Sequence, residues 1–556
     1  MKPLTRFFAL ILLLTPLLGA CSTGDIFGPD GGANLPLTQI SIAYDPNKAG
    51  LFDDLLSAYN NRASVKVNGV ELEIPDMLDA VSSGELVAVS PDSSVWLEAI
   101  DNAWHQANPD APSIIGTTIR YATTPVVIAT WRGREGELGA GKGGGWATLL
   151  QRASQDPGYR WSHGSPRASA SGLLAVTAEF YAGAKKSYGL TKADADRQEV
   201  RSYVAQIEKT IARYGGESDA ALVDYLLKEG ESALSATVMP EASVFDFNQR
   251  SRGASLYAIQ PAEGTLMLDH PLVLLETAGL TPDQRRAFLD FARFLGGSDG
   301  QAIVARHGFR PVDLAYDMAK SPLATAGLST LQPQLLQMPS AGLLAYLQGA
   351  WASGLKRRAN IILVMDVSGS MEGDKLGRAK DALVSFLKQV PSDDERIGLV
   401  AFASNYQEMV PLGRLGDNRQ QLLNAADQLS AGGNTAFFYA VWRAYLSLSQ
   451  RNDPERINVV VAMTDGQENA SKNFSQTDVS GVGRVPQIVT SSVKDVSALV
   501  KALKNTGAGI QVFTVGYGSD ADMTVLSPLA GSFGGQAYQA DPATIRKLYE
   551  LISQNF

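Results

Sequence analysis

Three short stretches in the C-terminal half of this 556-residue chain place oxygen-bearing side chains where apolar runs stop. Asp366, Ser368 and Ser370 alternate in DVSGS, directly after the run NIILVM, so a turn leaving that strand can aim all three side chains at one centre. Asp465 follows INVVVAM in the sequence TDG, and Thr435 closes GGNT just before AFFYAVWRAYLSLSQ, where paired glycines permit a tight bend. Two carboxylates and three hydroxyls make a hard donor set of the kind Mg2+ prefers. Hydrolytic chemistry lacks comparable support. The four histidines (His105, His163, His270, His307) are scattered without zinc-ligand spacing, and Cys21 is the single cysteine. Glu468 lies close to Asp465 but reads as a solvated loop residue, so no general base is identified and a non-enzymatic role is expected.

The elements that must position these oxygens alternate through residues 359–556. NIILVMD, RIGLVAFAS, INVVVAMTD and IQVFTVGYG read as strands, separated by helices such as LGRAKDALVSFLKQV and closed by the helix PATIRKLYELISQNF. Strands apolar on both faces predict a doubly wound, Rossmann-like α/β sheet, which binds ligands beyond the carboxyl ends of its strands. The order DxSxS, distant Thr, distant Asp resembles the metal-ion-dependent adhesion site of von Willebrand factor A domains. The resemblance implies that Ser368, Ser370 and Thr435 contact Mg2+ or Mn2+ directly, with Asp366 and Asp465 acting through water and hydrogen bonds. It further implies a protein partner whose acidic residue fills the open position on the metal. The polar segment 466–492 lies on the same edge and reads either as a contributor to partner selectivity or as a mobile loop.

Residues 38–335 also alternate strand and helix, as in TQISIAY with GLFDDLLSAYNNRA and GELVAVS with SVWLEAIDNAWHQ, which predicts a second α/β unit. In SPRASASGLLAV, Ser169, Ser171 and Gly172 fall at a helix start, where free N–H groups favour an anionic or strongly polar ligand; the same serines serve equally as helix caps. The glycine-rich GELGAGKGGGW carries Gly143 where a phosphate loop needs Ser or Thr, and reads as a surface loop. VSPDSSVWLEAI, TTPVVIATW, SPRASASGLLAV, PAEGTLMLDHPLV and GFRPV together resemble extracellular solute-binding proteins of the type II periplasmic binding fold. That resemblance implies two lobes around a cleft holding a small polar solute, with Ser90, Ser94, Thr124 and Glu241 also facing it. Asp45, in AYDP, would repel an oxyanion and argues against sulfate or phosphate.

A net charge of -9 with no basic region excludes general affinity for nucleic acid. Residues 1–20 have Lys2 and Arg6 ahead of an apolar stretch too short to span a bilayer, as an export signal does. LGAC resembles the bacterial lipobox, which implies lipidation of Cys21, a flexible tether over 21–37 and anchoring on the extracytoplasmic face of a bacterial membrane, the outer one in a diderm cell. Residues 336–358 read as a linker whose Lys356, Arg357 and Arg358 form a solvated strand entry. The expectation is a membrane-anchored extracytoplasmic binding protein with a metal-dependent protein-binding module and a solute-binding-like module. The alternative is the substrate-binding component of an ABC importer, docked through its second domain.

Overall fold

The computed structural model describes residues 38–61, 65–215, 218–390, 392–466, 468–469, 478–479, 483–484, 496–506 and 509–541. Cys21, the tether, the helix expected from residue 542 and most of the polar segment after Asp465 lie outside them.

Two sheets build the first region. In one, Gln39–Tyr44 runs parallel to Lys66–Glu71 and Ala88–Ser90, and Pro271–Leu275 joins antiparallel, followed by Ile115–Arg120. In the other, the long strand Ala122–Trp131 pairs antiparallel with Ala236–Pro240, beyond which lie Trp161–Gly164 and Arg213–Gly215. The chain therefore passes between sheets at buried Tyr121 and returns at Asp269 and His270, which divides the region into two lobes. His270 adopts a φ of 33°, a conformation that a residue with a side chain rarely takes, at this return crossing.

The third sheet has the order Tyr406–Arg414, Arg396–Phe402, Ala359–Asp366, Ile457–Thr464, Ile510–Tyr517, Ala537–Ala540, with only the first strand antiparallel to its neighbour. Every residue of Ala359–Asp366 is buried, because it is central in the sheet and helices cover both faces. Helix Asp374–Gln389 contributes Leu376, Ala379, Leu383 and Phe386, the three- and four-residue spacing that keeps one helical face apolar. Helix Phe437–Arg451 contributes Phe437, Val441, Tyr445 and Leu448 in the same way. After Ala359–Asp366 the chain first builds one side of the sheet and then crosses to the other, so this strand flanks the topological switch point. The fold is α/β throughout: a two-lobed, periplasmic-binding-protein-like region and a doubly wound sheet.

Between them lie helix Ala341–Ala350 and the π-helical turn Trp351–Leu355, whose Trp351 indole is fully buried. The basic triplet that follows is not solvated as expected. Lys356 is buried, with its ammonium 2.8 Å from Glu395 Oε1, while Glu395 Oε2 accepts from Ala359 N–H at 2.6 Å. Arg357 donates through its backbone N–H to Tyr214 in the second lobe at 2.9 Å. The strand entry folds back onto the preceding domain, and charges removed from water there need partners inside the protein. Glu395→Ala should strand the Lys356 ammonium and lower the free energy of unfolding in urea by about 3 to 5 kcal/mol; a loss below about 1 kcal/mol would contradict this account of the junction.

Candidate metal centre and solute cleft

Asp366 ends the central strand with no exposed surface. Its Oδ1 accepts from Ser368 N–H at 2.8 Å and its Oδ2 from the Thr464 hydroxyl at 2.5 Å. Burial pushes this carboxyl up to about 6, with the hydrogen bonds from Ser368 and Thr464 opposing the rise. Ser368 Oγ lies 3.1 Å from Ser370 Oγ, and Ser370 donates to Asp465 Oδ1 at 2.6 Å. Asp465 stands just beyond the neighbouring strand, and its Oδ2 accepts from the Lys375 ammonium at 2.8 Å. Asp366, Ser368, Ser370 and Asp465 thus share one polar network.

Thr435 reaches the network through loop contacts. Gly369 N–H donates to Gly433 O at 3.0 Å and Gly432 N–H to Val367 O at 2.8 Å, lashing the two loops together. Thr435 and Asn469 exchange two hydrogen bonds, each 2.9 Å, which fixes the loop after Asp465 against Thr435. A methyl group placed at Gly466 would sit 3.5 Å from Thr435 Oγ1 and 3.6 Å from Ser370 Oγ. Both hydroxyls therefore face one small space that the glycine leaves open. An all-oxygen donor set around such a space fits Mg2+ or Mn2+.

Glu468 is not the solvated residue expected from the sequence. It is buried, and its Oε2 accepts from Phe438 N–H at 2.7 Å, satisfying a donor in the first turn of helix Phe437–Arg451. Lys375, Thr464 and Asn469 were also missed. Thr464 carries a signal, a hydroxyl adjoining Asp465 at the end of an apolar strand, whereas Asn469 sits in a polar stretch that marks nothing.

The residues expected around the solute cleft divide into two groups. Ser90 is fully buried, accepts from Lys48 Nζ at 2.8 Å and donates to Pro271 O at 2.7 Å. Ser94 gives its hydroxyl and N–H to the two oxygens of Asp269, at 2.6 and 2.7 Å. Thr124 Oγ1 accepts from Ala242 N–H at 3.1 Å, and Glu241 makes a bidentate ion pair with Arg310 at 2.8 and 3.1 Å. These four side chains are engaged by the protein's own groups, because the lobe crossings bury charges and helix ends that need partners. Ser169, Ser171 and Gly172 do lie together. Ser169 caps helix Ala170–Ala184 by accepting from Gly172 N–H at 3.1 Å, and Ser171 Oγ stands between Ser169 Oγ and Asp219 Oδ1, 2.8 Å from each. A methyl at Gly172 would meet Gly164 O at 2.0 Å, so the glycine is required for close packing.

The lobes touch where Asn47 Oδ1 accepts from Ala220 N–H at 2.7 Å, at the start of helix Asp219–Glu229. Around this contact Asp45, Lys48, Asp92 and Asp219 are all buried. Lys48 also donates to Ser90 O at 2.6 Å and Pro91 O at 2.8 Å. Burial and neighbouring carboxylates drive Asp92 well above the usual carboxylate range and push Asp219 up to about 7. Asp219 Oδ2 receives no hydrogen bond from the described residues. Only Asp45 among these residues was singled out from the sequence; the rest carry no local motif.

Residues 40–310 match the family model of bacterial extracellular solute-binding proteins, and residues 360–550 match that of the von Willebrand factor type A domain. Over 265 residues the chain is 28% identical to an uncharacterized protein of Mycobacterium tuberculosis, covering 45% of this chain and 38% of that protein. Over 198 residues it is 25% identical to inter alpha-trypsin inhibitor heavy chain 4 of Mus musculus, covering 34% of this chain and 18% of the relative. The chain thus spans well under half the length of these curated relatives. Among solved structures, a von Willebrand factor type A protein of Catenulispora acidiphila aligns with a TM-score of 0.29 and 20% identity, over 36% of this chain and 42% of that one. A sulfate-binding protein of Mycobacterium tuberculosis aligns with a TM-score of 0.38 and 17% identity, over 50% and 88% of the two chains. Both matched families are binding domains, and no described helix is long and apolar enough to cross a membrane. The chain carries a solute-binding-like domain followed by a von Willebrand factor type A domain.

Proposed function

We propose that this is a non-enzymatic, extracytoplasmic binding protein, lipid-anchored through Cys21, that captures a protein partner through a Mg2+-dependent or Mn2+-dependent adhesion site. The carrying observation is the gathering of Asp366, Ser368, Ser370 and Asp465 in one network, with Thr435 Oγ1 facing the same open space as Ser370. Ser368, Ser370 and Thr435 would hold the ion, and Asp366 and Asp465 would balance its charge from behind. A bound ion supplies a positive centre for an acidic side chain of the partner. The protein's own groups support that preference. The Lys375 ammonium adds positive charge beside Asp465, and the two bonds between Thr435 and Asn469 hold the rim in place before a partner arrives. Capture of surface proteins by the full chain should be lost in EDTA, restored by Mg2+, and absent for Ser370→Ala combined with Thr435→Ala. Capture indifferent to both would contradict the proposal.

A second reading concerns the first domain, as the substrate-binding component of an ABC importer. It is favoured by the interlobe contact of Asn47 with Ala220 over a buried polar cluster. Asp45, Asp92 and Asp219 surround Lys48 there, and carboxyls held above their usual range ionise most readily opposite a positive charge, so the chemistry suits a small polar solute bearing one. The same cluster makes stability depend on pH. Asp219 moves from an ordinary 3.8 to about 7, so the folded state binds the proton more tightly, and stability is lost as pH rises from about 4 to about 7. Asp219→Asn should therefore raise Tm relative to wild type at pH 8 and leave it nearly unchanged at pH 4. An equal Tm difference at both pH values would contradict this.

A further inference from the structure

A second polar cluster lies inside the second lobe, where strand Trp161–Gly164 and helices Ala170–Ala184 and Gln198–Lys209 bring His163, Glu179 and Glu208 together with no exposed surface. His163 Nδ1 is 2.6 Å from Gly164 O; a carbonyl only accepts, so Nδ1 carries a proton and Nε2 is turned toward Glu208 Oε1, 3.1 Å away. Glu208 Oε2 is already held, accepting from Tyr214 OH at 2.7 Å and Trp351 Nε1–H at 2.9 Å. Among the described residues no N–H or O–H group reaches either oxygen of Glu179, and the polar group it meets is a second carboxyl, that of Glu208. One ligand atom from each of the three residues falls within 4.8 Å of the others.

Two contacts here set acceptor against acceptor unless something positive lies between them. Two protons would serve, one on His163 Nε2 and one on Glu179. A single divalent ion would satisfy both contacts and neutralise both carboxylates, and the surroundings fit the ion. The imidazole is oriented by donating its other N–H to a backbone carbonyl, as metal-binding histidines almost always are, and the Glu208 carboxylate is likewise steadied by Tyr214 and Trp351. The 3.1 Å between Nε2 and Oε1 matches neighbouring ligands on an ion with bonds of about 2.0 to 2.2 Å, which stand roughly 3.0 to 3.5 Å apart. One imidazole with two carboxylates suits Zn2+ or Mn2+ better than Ca2+, which takes six to eight oxygens.

We propose that His163, Glu179 and Glu208 bind a divalent transition-metal ion, Zn2+ or Mn2+, as a structural staple at the junction of the two domains. Trp351 belongs to the turn that leads into the adhesion domain, and its ring packs edge-on against Tyr214 at 5.2 Å, so the cluster ties that turn to the second lobe. With a single cysteine the chain has no internal disulfide to do this.

The test uses the full chain carrying Ser370→Ala and Thr435→Ala, which empties the adhesion site, loaded with Zn2+ or Mn2+, desalted and analysed by elemental mass spectrometry and thermal unfolding. About one ion per chain should be retained, with a higher Tm than the chelated protein. Adding Glu179→Gln, which keeps the shape and removes the charge, should abolish retention and lower Tm, and Trp351→Phe should weaken the affinity by roughly 10-fold to 100-fold. No retained ion, with Glu179→Gln as stable as its parent or more so, would overturn the proposal in favour of a protonated carboxyl. Retention unchanged by Glu179→Gln would overturn it too, as would Trp351→Phe binding the ion with unaltered affinity.

Discussion

Asp366 has no exposed surface, so its carboxylate must find hydrogen-bond donors inside the protein, and the search organises the edge of the sheet around it. One donor is Ser368 N–H, which turns the chain sharply at the end of the central strand; the other is Thr464 on the adjacent strand. Once these bonds form, Ser368 and Ser370 are directed back toward Asp465, and the loop bearing Thr435 is drawn in by Gly432 and Gly433. The candidate metal centre is thus a consequence of burying a charged residue at a strand end. The parallel strands on either side make this possible, since they deliver Asp366 and Thr464 to the same edge.

The first domain solves a related problem differently. Its lobes meet over Asp45, Asp92 and Asp219 with one lysine among them, and Lys48 spends its three donors on Ser90 and Pro91. Side chains such as Ser90 and Glu241 are thereby committed to holding lobes and helices in place. Asp219 keeps one oxygen without a donor among the described residues, at the point where helix Asp219–Glu229 meets the other lobe. In both domains, charge drawn out of water near a strand or helix end is what defines the candidate site.

The alternation of strands and helices in both regions was legible because runs such as NIILVM and INVVVAM are apolar on both faces, and a covered parallel sheet requires that. DVSGS, GGNT and TDG were legible because each lies next to such a run. What could not be read were partnerships across long stretches of chain. Lys48 looks like an ordinary polar residue in DPNKAG, yet its ammonium donates its hydrogen bonds to groups 42 and 43 residues away. Lys356 reads as solvated until Glu395 is brought to it, and Glu468 until helix Phe437–Arg451 offers its free N–H. The His163, Glu179 and Glu208 cluster has no sequence spacing at all, since three separate elements assemble it. Local pattern reports burial, whereas pairing between buried charges is decided by the tertiary fold.

The central claim is that Thr435 and the oxygens gathered around Asp366 form one site for a hard divalent ion. Titration calorimetry of Mg2+ into the full chain, compared with the same titration of Thr435→Ala, tests it most directly. The account predicts saturable binding by the wild type that Thr435→Ala weakens by at least about tenfold, a difference of about 1.4 kcal/mol. Equal affinity in the two proteins, or no saturable binding in the wild type, would contradict it.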